Sequence, residues 1–154
     1  MPALQTLNFK YYGQQFTPRS GKEKNEISYN ILKLLVFLPM ERKIITYGNY
    51  FSSFLKTLSE DVRRKIDYVL DMLKTVRRLN SKFVKPIREG IYELRIEWEG
   101  DIYRVFFIFD EGNIIVLFNG FQKKTRKTPT SEIEKAITIK REYYEYKREQ
   151  NQKL

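Results

Sequence analysis

The sequence contains no cysteine and no histidine among its 154 residues. Without cysteine the chain cannot be a disulfide-stabilised scaffold. Without either residue it also lacks the usual zinc ligands, a thiol nucleophile and the commonest general base. Any catalysis must therefore depend on carboxylates, lysine, arginine, tyrosine or hydroxyl groups, and we expect neither a metal nor a cofactor.

Acidic residues are scarce relative to basic ones. The chain has 29 Lys and Arg against 19 Asp and Glu, which gives a net charge of +10. A domain this basic attracts polyanions, so nucleic acid, an anionic membrane and an acidic protein are the candidate partners. Apolar residues make up 42% of the chain and aromatic residues 15%. That content is enough for a hydrophobic core in one domain and excludes an intrinsically disordered protein.

Long hydrophobic runs are missing. The most apolar stretch, residues 31–38, is interrupted by Lys33, whereas a membrane-spanning helix needs about 20 apolar residues. It also starts too far from Met1 for a signal peptide and is followed by Pro39-Met40 rather than by small residues. We expect a cytoplasmic protein without a membrane partner.

The composition changes at Pro39-Met40. Residues 1–39 are polar and show no sustained period, which predicts an N-terminal extension, whereas residues 40–154 are strongly patterned and predict a folded domain. Three interpretations of the extension remain open. It is a poorly ordered arm or extra edge element, upstream sequence wrongly included before a natural start at Met40, or a functional arm.

The pattern after residue 40 predicts first a strand and then two helices. Residues 43–47 form a β-branched run, and apolar residues at helical spacing follow from Phe51 to Leu58 and from Val62 to Val76. Ser59 is placed to cap the second helix.

The second half predicts three strands and a last helix. Period-two alternation over residues 91–98 indicates a half-buried strand. Short turns connect it to the runs at residues 102–109 and 114–118, which predicts an antiparallel meander. Thr128 as N-cap and Pro129 at the first position predict the start of the C-terminal helix. The fold class is therefore α+β, with a mainly antiparallel sheet of about four strands, two N-terminal helices and a C-terminal helix.

Basic residues are concentrated in two acid-free intervals. Six cations lie between residues 74 and 88, namely Lys74, Arg77, Arg78, Lys82, Lys85 and Arg88. Four more follow Phe121 directly, namely Lys123, Lys124, Arg126 and Lys127. An aromatic residue followed by clustered cations is typical of segments that stack a base and hold phosphates. A solvated, solubilising surface is the alternative for both intervals.

Two arginines, Arg95 and Arg104, lie inside otherwise apolar strands. Pairing across the turn at residues 99–101 should bring them close together, where their like charges repel. Either an internal ion-pair ladder with Glu93 and Glu97 compensates them, or they hold a bound phosphate.

Several motifs resemble the phage-derived HigB-like toxins of the RelE superfamily. They occur in order at Gly90-Ile-Tyr-Glu-Leu-Arg95, Tyr103-Arg-Val105, residues 115–125, Thr128-Pro129, Glu132-Ile133 and Ala136. The resemblance covers roughly residues 41–147. It implies a RelE-like fold and a type II toxin that cleaves mRNA on the ribosome and is silenced by a HigA-type helix-turn-helix antitoxin. By motif, the family's active-site and RNA-contacting positions are Arg95, Arg104, Phe121, Lys123 and Lys124.

The residues are compatible with metal-free cleavage of RNA, because RNA supplies its own nucleophile, the 2′-hydroxyl. Arg95 and Arg104 would bind the scissile phosphate, Lys123 and Lys124 would stabilise the transition state, and Phe121 would stack on a base. For the general base, Glu93, Tyr103 and a lysine with a lowered pKa remain open. The other predicted RNA contacts are Asn119, Arg126, Lys127, Arg77, Arg78, Lys82 and Lys85.

One position departs from the apparent family. Similar members often carry histidine just before the Gly-Phe pair, where this chain has Asn119. Asparagine donates hydrogen bonds but cannot take a proton at neutral pH. The sequence therefore predicts an endoribonuclease toxin, with a non-catalytic nucleic-acid-binding or phage accessory protein of the same fold as the alternative. A module that binds an acidic protein is the third reading.

Overall fold

The computed structural model describes residues 28–31, 41–76 and 80–153. The chain divides into two compact units, residues 1–38 and 39–154. In the first unit, residues 28–31 are helical. The predictions made for residues 1–39 otherwise lie outside the described residues. All elements named below belong to the second unit.

The second unit contains five strands and three helices among its described residues. In chain order they are β1 (Lys43–Thr46), α1 (Tyr50–Lys56), α2 (Glu60–Thr75), β2 (Val84–Pro86), β3 (Tyr92–Trp98), β4 (Asp101–Asp110), β5 (Ile114–Gln122) and α3 (Thr130–Gln152). The general α+β class is confirmed, but the expectation of about four strands is wrong. The strand β2 was not predicted because it has only three residues and ends in a proline, which usually marks the boundary of a strand.

The strands form one sheet in the order β1-β5-β4-β3-β2. The predicted meander of β3, β4 and β5 is confirmed, since both of its ladders are antiparallel. The strand β1 pairs with β5 in parallel, with Lys43 opposite Ile114 and Thr46 opposite Leu117. The sheet is therefore mixed, and β1, the first strand in the chain, pairs with β5, the last.

Helices cover both faces of the sheet. On one face, α1 and α2 contribute Phe51, Phe54 and Ile66 to a core with the inward residues of β3, β4 and β5. On the other face, α3 packs Ala136, Ile137, Ile139 and Tyr143 against Phe106, Ile108 and Phe118. Because strand residues alternate between faces, each strand supplies apolar side chains to both cores.

A two-residue turn fixes the register between β3 and β4. Trp98 lies opposite Asp101, and the intervening Glu99 and Gly100 both have positive φ, 49° and 87°. Two consecutive positive φ values are those of the tight hairpin turn whose twist matches that of the strands. The predicted turn is thereby confirmed.

The ends of α2 are satisfied by side chains. The Ser59 hydroxyl accepts from the Val62 amide at 3.4 Å, as its predicted capping role requires. At the other end, Arg42 Nη1 donates to the carbonyls of Leu73 and Val76 at 2.8 and 2.7 Å. Val76 has an extended backbone and is 41% exposed, so the prediction that it continues the buried helical stripe is wrong.

The start of α3 also differs from the prediction. Pro129 takes the N-cap position and the helix begins at Thr130, one residue later than expected. Instead of capping the helix, the Thr128 hydroxyl donates to Glu93 Oε2 at 2.8 Å.

A buried carboxylate ties α3 to the β4–β5 turn. Asp110 accepts from the Tyr143 hydroxyl at 2.7 Å and from Lys147 Nζ at 2.6 Å. Burial alone would raise the pKa of Asp110, but these two hydrogen bonds outweigh it and lower that pKa. Burial and the hydrogen bond to Asp110 raise the pKa of Tyr143 to about 12. The cluster therefore favours an ionised Asp110 beside a protonated phenol.

None of the described helices has the length and apolar composition needed to span a bilayer.

Candidate active site

Arg95 and Arg104 lie directly opposite each other in the β3–β4 ladder, which confirms the pairing expected from the sequence. Both belong to the sheet face that packs against α3, because Ile91 and Phe106, at even spacing from them, lie in the core formed with that helix. Two guanidinium groups are thus brought together on one face of the sheet.

The Glu93 carboxylate compensates this pair of arginines. Its Oε1 accepts from Arg95 Nε at 2.9 Å and lies 3.3 Å from Arg104 Nε, while its Oε2 accepts from Thr128. Glu93 is only 1% exposed. Of the two carboxylates expected to compensate the arginines, the structure places Glu93 in this role, whereas Glu97 is exposed and makes no ion pair within the described residues.

The two arginines differ in accessibility. Arg104 is 4% exposed, whereas the side chain of Arg95 is 30% exposed. Burial lowers the pKa of Arg104, Glu93 opposes this by raising it, Arg95 lowers it further, and Glu97 raises it by the smallest amount. Arg104 Nη1 donates to the Tyr103 carbonyl at 3.0 Å, and Arg104 Nε makes no hydrogen bond within the described residues. Arg95 is thus the arginine that a phosphate can reach first.

A β-bulge determines where Asn119 points. Phe107 lies opposite Leu117 and Val105 opposite Gly120, so Phe106 alone opposes both Phe118 and Asn119. The extra residue in β5 turns the Asn119 amide toward the start of α3.

Asn119 is fully enclosed at this position, with 1% exposure. Its Nδ2 donates to the Glu132 carbonyl at 3.2 Å and to Glu132 Oε2 at 2.8 Å, while its Oδ1 has no hydrogen-bond partner among the described residues. A buried acceptor without a partner is costly. The position at which family members often have histidine is therefore occupied here by an amide bound to a carboxylate of α3.

Phe121 extends the site toward the end of β5. It lies opposite Arg104 in the ladder, and its ring packs 5.7 Å from that of Phe106, centroid to centroid. The side chain is half-buried, so one part of the ring anchors it and another part is accessible.

The predicted cationic loop, residues 123–127, begins and ends at this cluster. The Lys123 amide donates to the Ile102 carbonyl at 2.7 Å, which continues the ladder beyond β5. At the other end, Thr128 is bound to Glu93. Lys124, Arg126 and Lys127 are exposed, Lys123 is half-buried, and none of the four makes an ion pair within the described part of the chain. Four unpaired cations therefore lie beside the arginine pair.

Lys82 also lies near Arg95. Both residues border a recess of about 240 Å³, together with Lys65, Phe83 and Glu97. Lys85 is exposed on β2, at the position opposite Glu93. The predicted contacts Arg77 and Arg78 lie outside the described residues.

Tyr103 lies elsewhere. Its side chain is 5% exposed in the core formed with α1 and α2, on the face of the sheet opposite the arginine pair. Burial, together with Asp101, raises its pKa. Both facts argue against Tyr103 as the general base.

Two site residues were not predicted from the sequence. The sequence predicts Thr128 as a helix cap and marks Glu132 only as part of a family motif. No local signal identifies them, since their partners Glu93 and Asn119 come from other strands. In the described residues, no group of three or more carboxylates is placed to hold a metal ion.

The cluster carries an excess of positive charge. Two guanidinium groups share one carboxylate and keep one positive charge in excess, and four unpaired loop cations lie next to them. Guanidinium groups bind phosphate oxygens through paired hydrogen bonds.

The comparison with protein families agrees with the motif resemblance. A model of the family described as phage derived protein Gp49-like (DUF891) matches residues 53–141, more than half of the chain and all of the cluster described above. No curated protein matches the chain. The chain therefore belongs to the Gp49-like family of phage-derived proteins, a RelE/HigB-like toxin family.

Proposed function

We propose that this protein is a metal-independent endoribonuclease, the toxin of a type II toxin–antitoxin pair, which cleaves mRNA on the ribosome in the cytoplasm. The observation that carries the proposal is the Arg95–Arg104 pair, bridged by Glu93 and flanked by the cationic loop. A HigA-type helix-turn-helix antitoxin is the proposed partner, on the strength of the resemblance to HigB-like toxins.

The phosphate is bound first by Arg95, because its side chain is the accessible member of the pair. Arg104 is the buried member of the pair, next to Arg95 and Glu93. Its positive charge acts on the phosphate in a buried setting, where electrostatic interactions are stronger than in water. Both guanidinium groups then stabilise the charge that builds up on the phosphate oxygens in the transition state.

Glu93 is the proposed general base. A phosphate bound to Arg95 competes with Glu93 for the same guanidinium, so that Oε1 is released close to the scissile phosphate. The freed oxygen accepts the proton of the 2′-hydroxyl as that oxygen attacks the phosphorus. Thr128 keeps hold of Oε2 and preserves the orientation of the carboxylate.

The remaining groups bind and orient the RNA. Lys123 and Lys124 neutralise transition-state charge and protonate the leaving 5′-oxygen, and Phe121 stacks on a splayed base. The predicted RNA contact of Asn119 is wrong, because its side chain is 1% exposed and bound to Glu132. The proposed contacts to the RNA backbone are Arg126, Lys127, Lys82, Lys85, Arg77 and Arg78. Such phosphate contacts provide affinity without sequence specificity.

Induction of the full chain in a bacterium tests this proposal. We expect growth arrest that the neighbouring gene relieves, and cleavage of ribosome-bound mRNA in a purified translation mixture. The products should carry a 2′,3′-cyclic phosphate and a 5′-hydroxyl, because the 2′-oxygen is the nucleophile. Products with a 5′-phosphate, or unchanged growth and intact mRNA, would contradict the proposal.

A second candidate function is favoured by Asn119. Its amide stands where family members often have histidine and is already bound to Glu132. A protein that binds RNA through the same cations without cutting it would keep every contact described above. RNA binding without growth arrest would indicate this function, and the absence of salt-sensitive RNA binding would instead indicate a module for an acidic protein.

A further inference from the structure

A groove of about 960 Å³ lies between α1 and α3, at the edge of the sheet beside the end of β5. We call it the α1–α3 groove; its walls include Tyr50, Phe54, Gly120, Phe121, Gln122 and Lys135. The strand β1 pairs with β5 only as far as Leu117. The last residues of β5 therefore border the groove instead of another strand.

The walls of the groove are fixed by contacts of Gly120 and Tyr50. At Gly120 a Cβ atom would overlap the Phe54 ring, so glycine allows α1 to pack directly on the strand backbone. The Tyr50 hydroxyl donates to Glu142 Oε2 at 3.1 Å, which fixes the ring of Tyr50 against α3. Two aromatic side chains, Tyr50 and Phe121, are thus held at the groove by contacts made elsewhere in the fold.

Polar groups without partners also border the groove. The side-chain amides of Asn49 and Gln122 make no hydrogen bond within the described residues, and the Lys135 ammonium has only the Tyr50 ring, 5.9 Å away. Proteins bind unpaired bases through aromatic rings, which stack on the base, and through free amide groups, which form hydrogen bonds to the base edges.

The charge of the lining selects between a base and a phosphate. Lys135 is balanced by Glu142, so the groove walls carry no net charge. Further along α3, Glu145 and Glu149 also raise the pKa of Tyr47, after the larger effects of burial, Glu142 and Tyr146. A phosphate backbone would be repelled at that end, whereas an uncharged base is not.

We propose that the α1–α3 groove binds one unpaired base of the RNA, adjacent to the nucleotide whose phosphate contacts Arg95. The proposal rests on the RNA substrate proposed above. Phe121 connects the two sites, because it lines the groove and lies opposite Arg104 in the ladder. From Arg95 to Phe121 there are two strand spacings, about 10 Å, so neighbouring nucleotides occupy the two sites. The base is stacked by Tyr50 and Phe121 and read by Gln122 and Asn49.

The test uses a single-stranded hexanucleotide with 2′-O-methyl groups and one 2-aminopurine, a fluorescent purine whose emission falls when it stacks on an aromatic ring. This probe cannot be cleaved by 2′-hydroxyl attack, so binding is measured apart from chemistry. We expect quenching by the full-length wild-type protein. Tyr50→Leu and Gln122→Ala should each weaken the quenching titration, the first by about tenfold, as for the loss of one base–aromatic stack.

Tyr68→Leu is the matched control, because Tyr68 is an exposed tyrosine on α2 outside the groove, and it should titrate like the wild type. If Tyr50→Leu fails to fold, Gln122→Ala alone decides, since Gln122 is exposed. Quenching that is absent, or unchanged in both groove variants, overturns the proposal. Absence of mRNA cleavage with groove-dependent quenching would overturn the proposed enzyme and retain the base site.

Discussion

The Thr128 hydroxyl donates a 2.8 Å hydrogen bond to Glu93, the carboxylate that bridges Arg95 and Arg104. The cationic loop therefore ends on the same group that positions the arginine pair. In the proposed mechanism, a phosphate that displaces Glu93 would also move the end of the loop through this contact.

Arg95→Ala should reduce cleavage of ribosome-bound mRNA by about 100- to 1,000-fold, the usual loss when one preorganised electrostatic contact is removed. Primer extension on the purified translation mixture measures the rate. Arg63→Ala, which removes an exposed arginine of α2, is the control and should cleave normally. An Arg95→Ala variant that cleaves at the wild-type rate would contradict the assignment of Arg95 to the scissile phosphate.

Arg104→Ala should also abolish cleavage, and because Arg104 is buried, we expect it to lower the stability of the fold as well. Arg104 is 4% exposed, and removing one member of a buried ion pair costs about 3–5 kcal/mol. The thermal midpoint should therefore fall strongly for Arg104→Ala and little for Arg95→Ala. Equal midpoints for the two variants would contradict the buried, supporting role given to Arg104.

Glu93→Gln separates binding from chemistry. The substitution removes the negative charge that competes with phosphate for Arg95, so uncleavable RNA should bind more tightly. Cleavage should nevertheless fall, because the amide cannot take the 2′-hydroxyl proton. The dissociation constant and the single-turnover rate measured on the same preparation give the two effects. Parallel weakening of both would leave Glu93 with a structural role only.

Thr128→Val tests the contact between loop and carboxylate. Valine keeps the shape of threonine but loses the donor, which leaves one oxygen of a buried carboxylate unsatisfied at a cost of about 1–3 kcal/mol. We expect lower stability and slower cleavage, with recovery of both in Thr128→Ser. If Thr128→Ser is as impaired as Thr128→Val, the hydroxyl is not the important group.

Lys82→Glu with Lys85→Glu should weaken binding to single-stranded RNA and flatten its salt dependence. Each phosphate contact contributes about 0.7 to the slope of log K against log salt for single strands. Reversal of two exposed cations should lower the slope by at least that amount per lysine that contacts phosphate. Filter binding at several salt concentrations provides the slope, and an unchanged slope would mark these residues as solvated surface.

Asp110→Asn tests the cluster at the far end of α3. Because the pKa of Asp110 is lowered in the folded state, the ionised carboxylate stabilises the fold above its unfolded pKa of about 3.9, and this contribution is lost as pH falls through the folded pKa. At pH 7 the variant should lose about 2 kcal/mol, the contribution of hydrogen bonds to a charged group. Urea titrations at pH 7 and pH 3 should show this difference shrinking at the lower pH.

The parts of the site that follow from local pattern could be predicted from the sequence. Period-two alternation, together with a two-residue turn at Glu99-Gly100, determines both the register and the face of Arg95 and Arg104. The proximity of the two arginines therefore follows before any tertiary contact is known. The cationic loop was equally visible, as a run of charges after the last strand.

Other features depend on contacts between distant segments and could not be predicted. The parallel pairing of β1 with β5 leaves no trace in either strand, and the bulge that turns Asn119 toward α3 appears only once β5 is aligned with β4. The role of Thr128 could not be predicted either, because its hydroxyl can cap the helix or bind a carboxylate on β3. The structure selects the carboxylate because Glu93 is buried and must be satisfied.

The pairing of β1 with β5 determines when this domain can complete its fold during synthesis. The strand β1 has no partner until residue 114, the first of β5, has left the ribosome. The β3–β4 hairpin can form earlier, because its contacts are local in sequence and do not need β5. A growing chain of this protein therefore carries β1 without a partner strand until β5 has been synthesised. We infer that the arginine pair is assembled on a hairpin that forms before the first strand is incorporated.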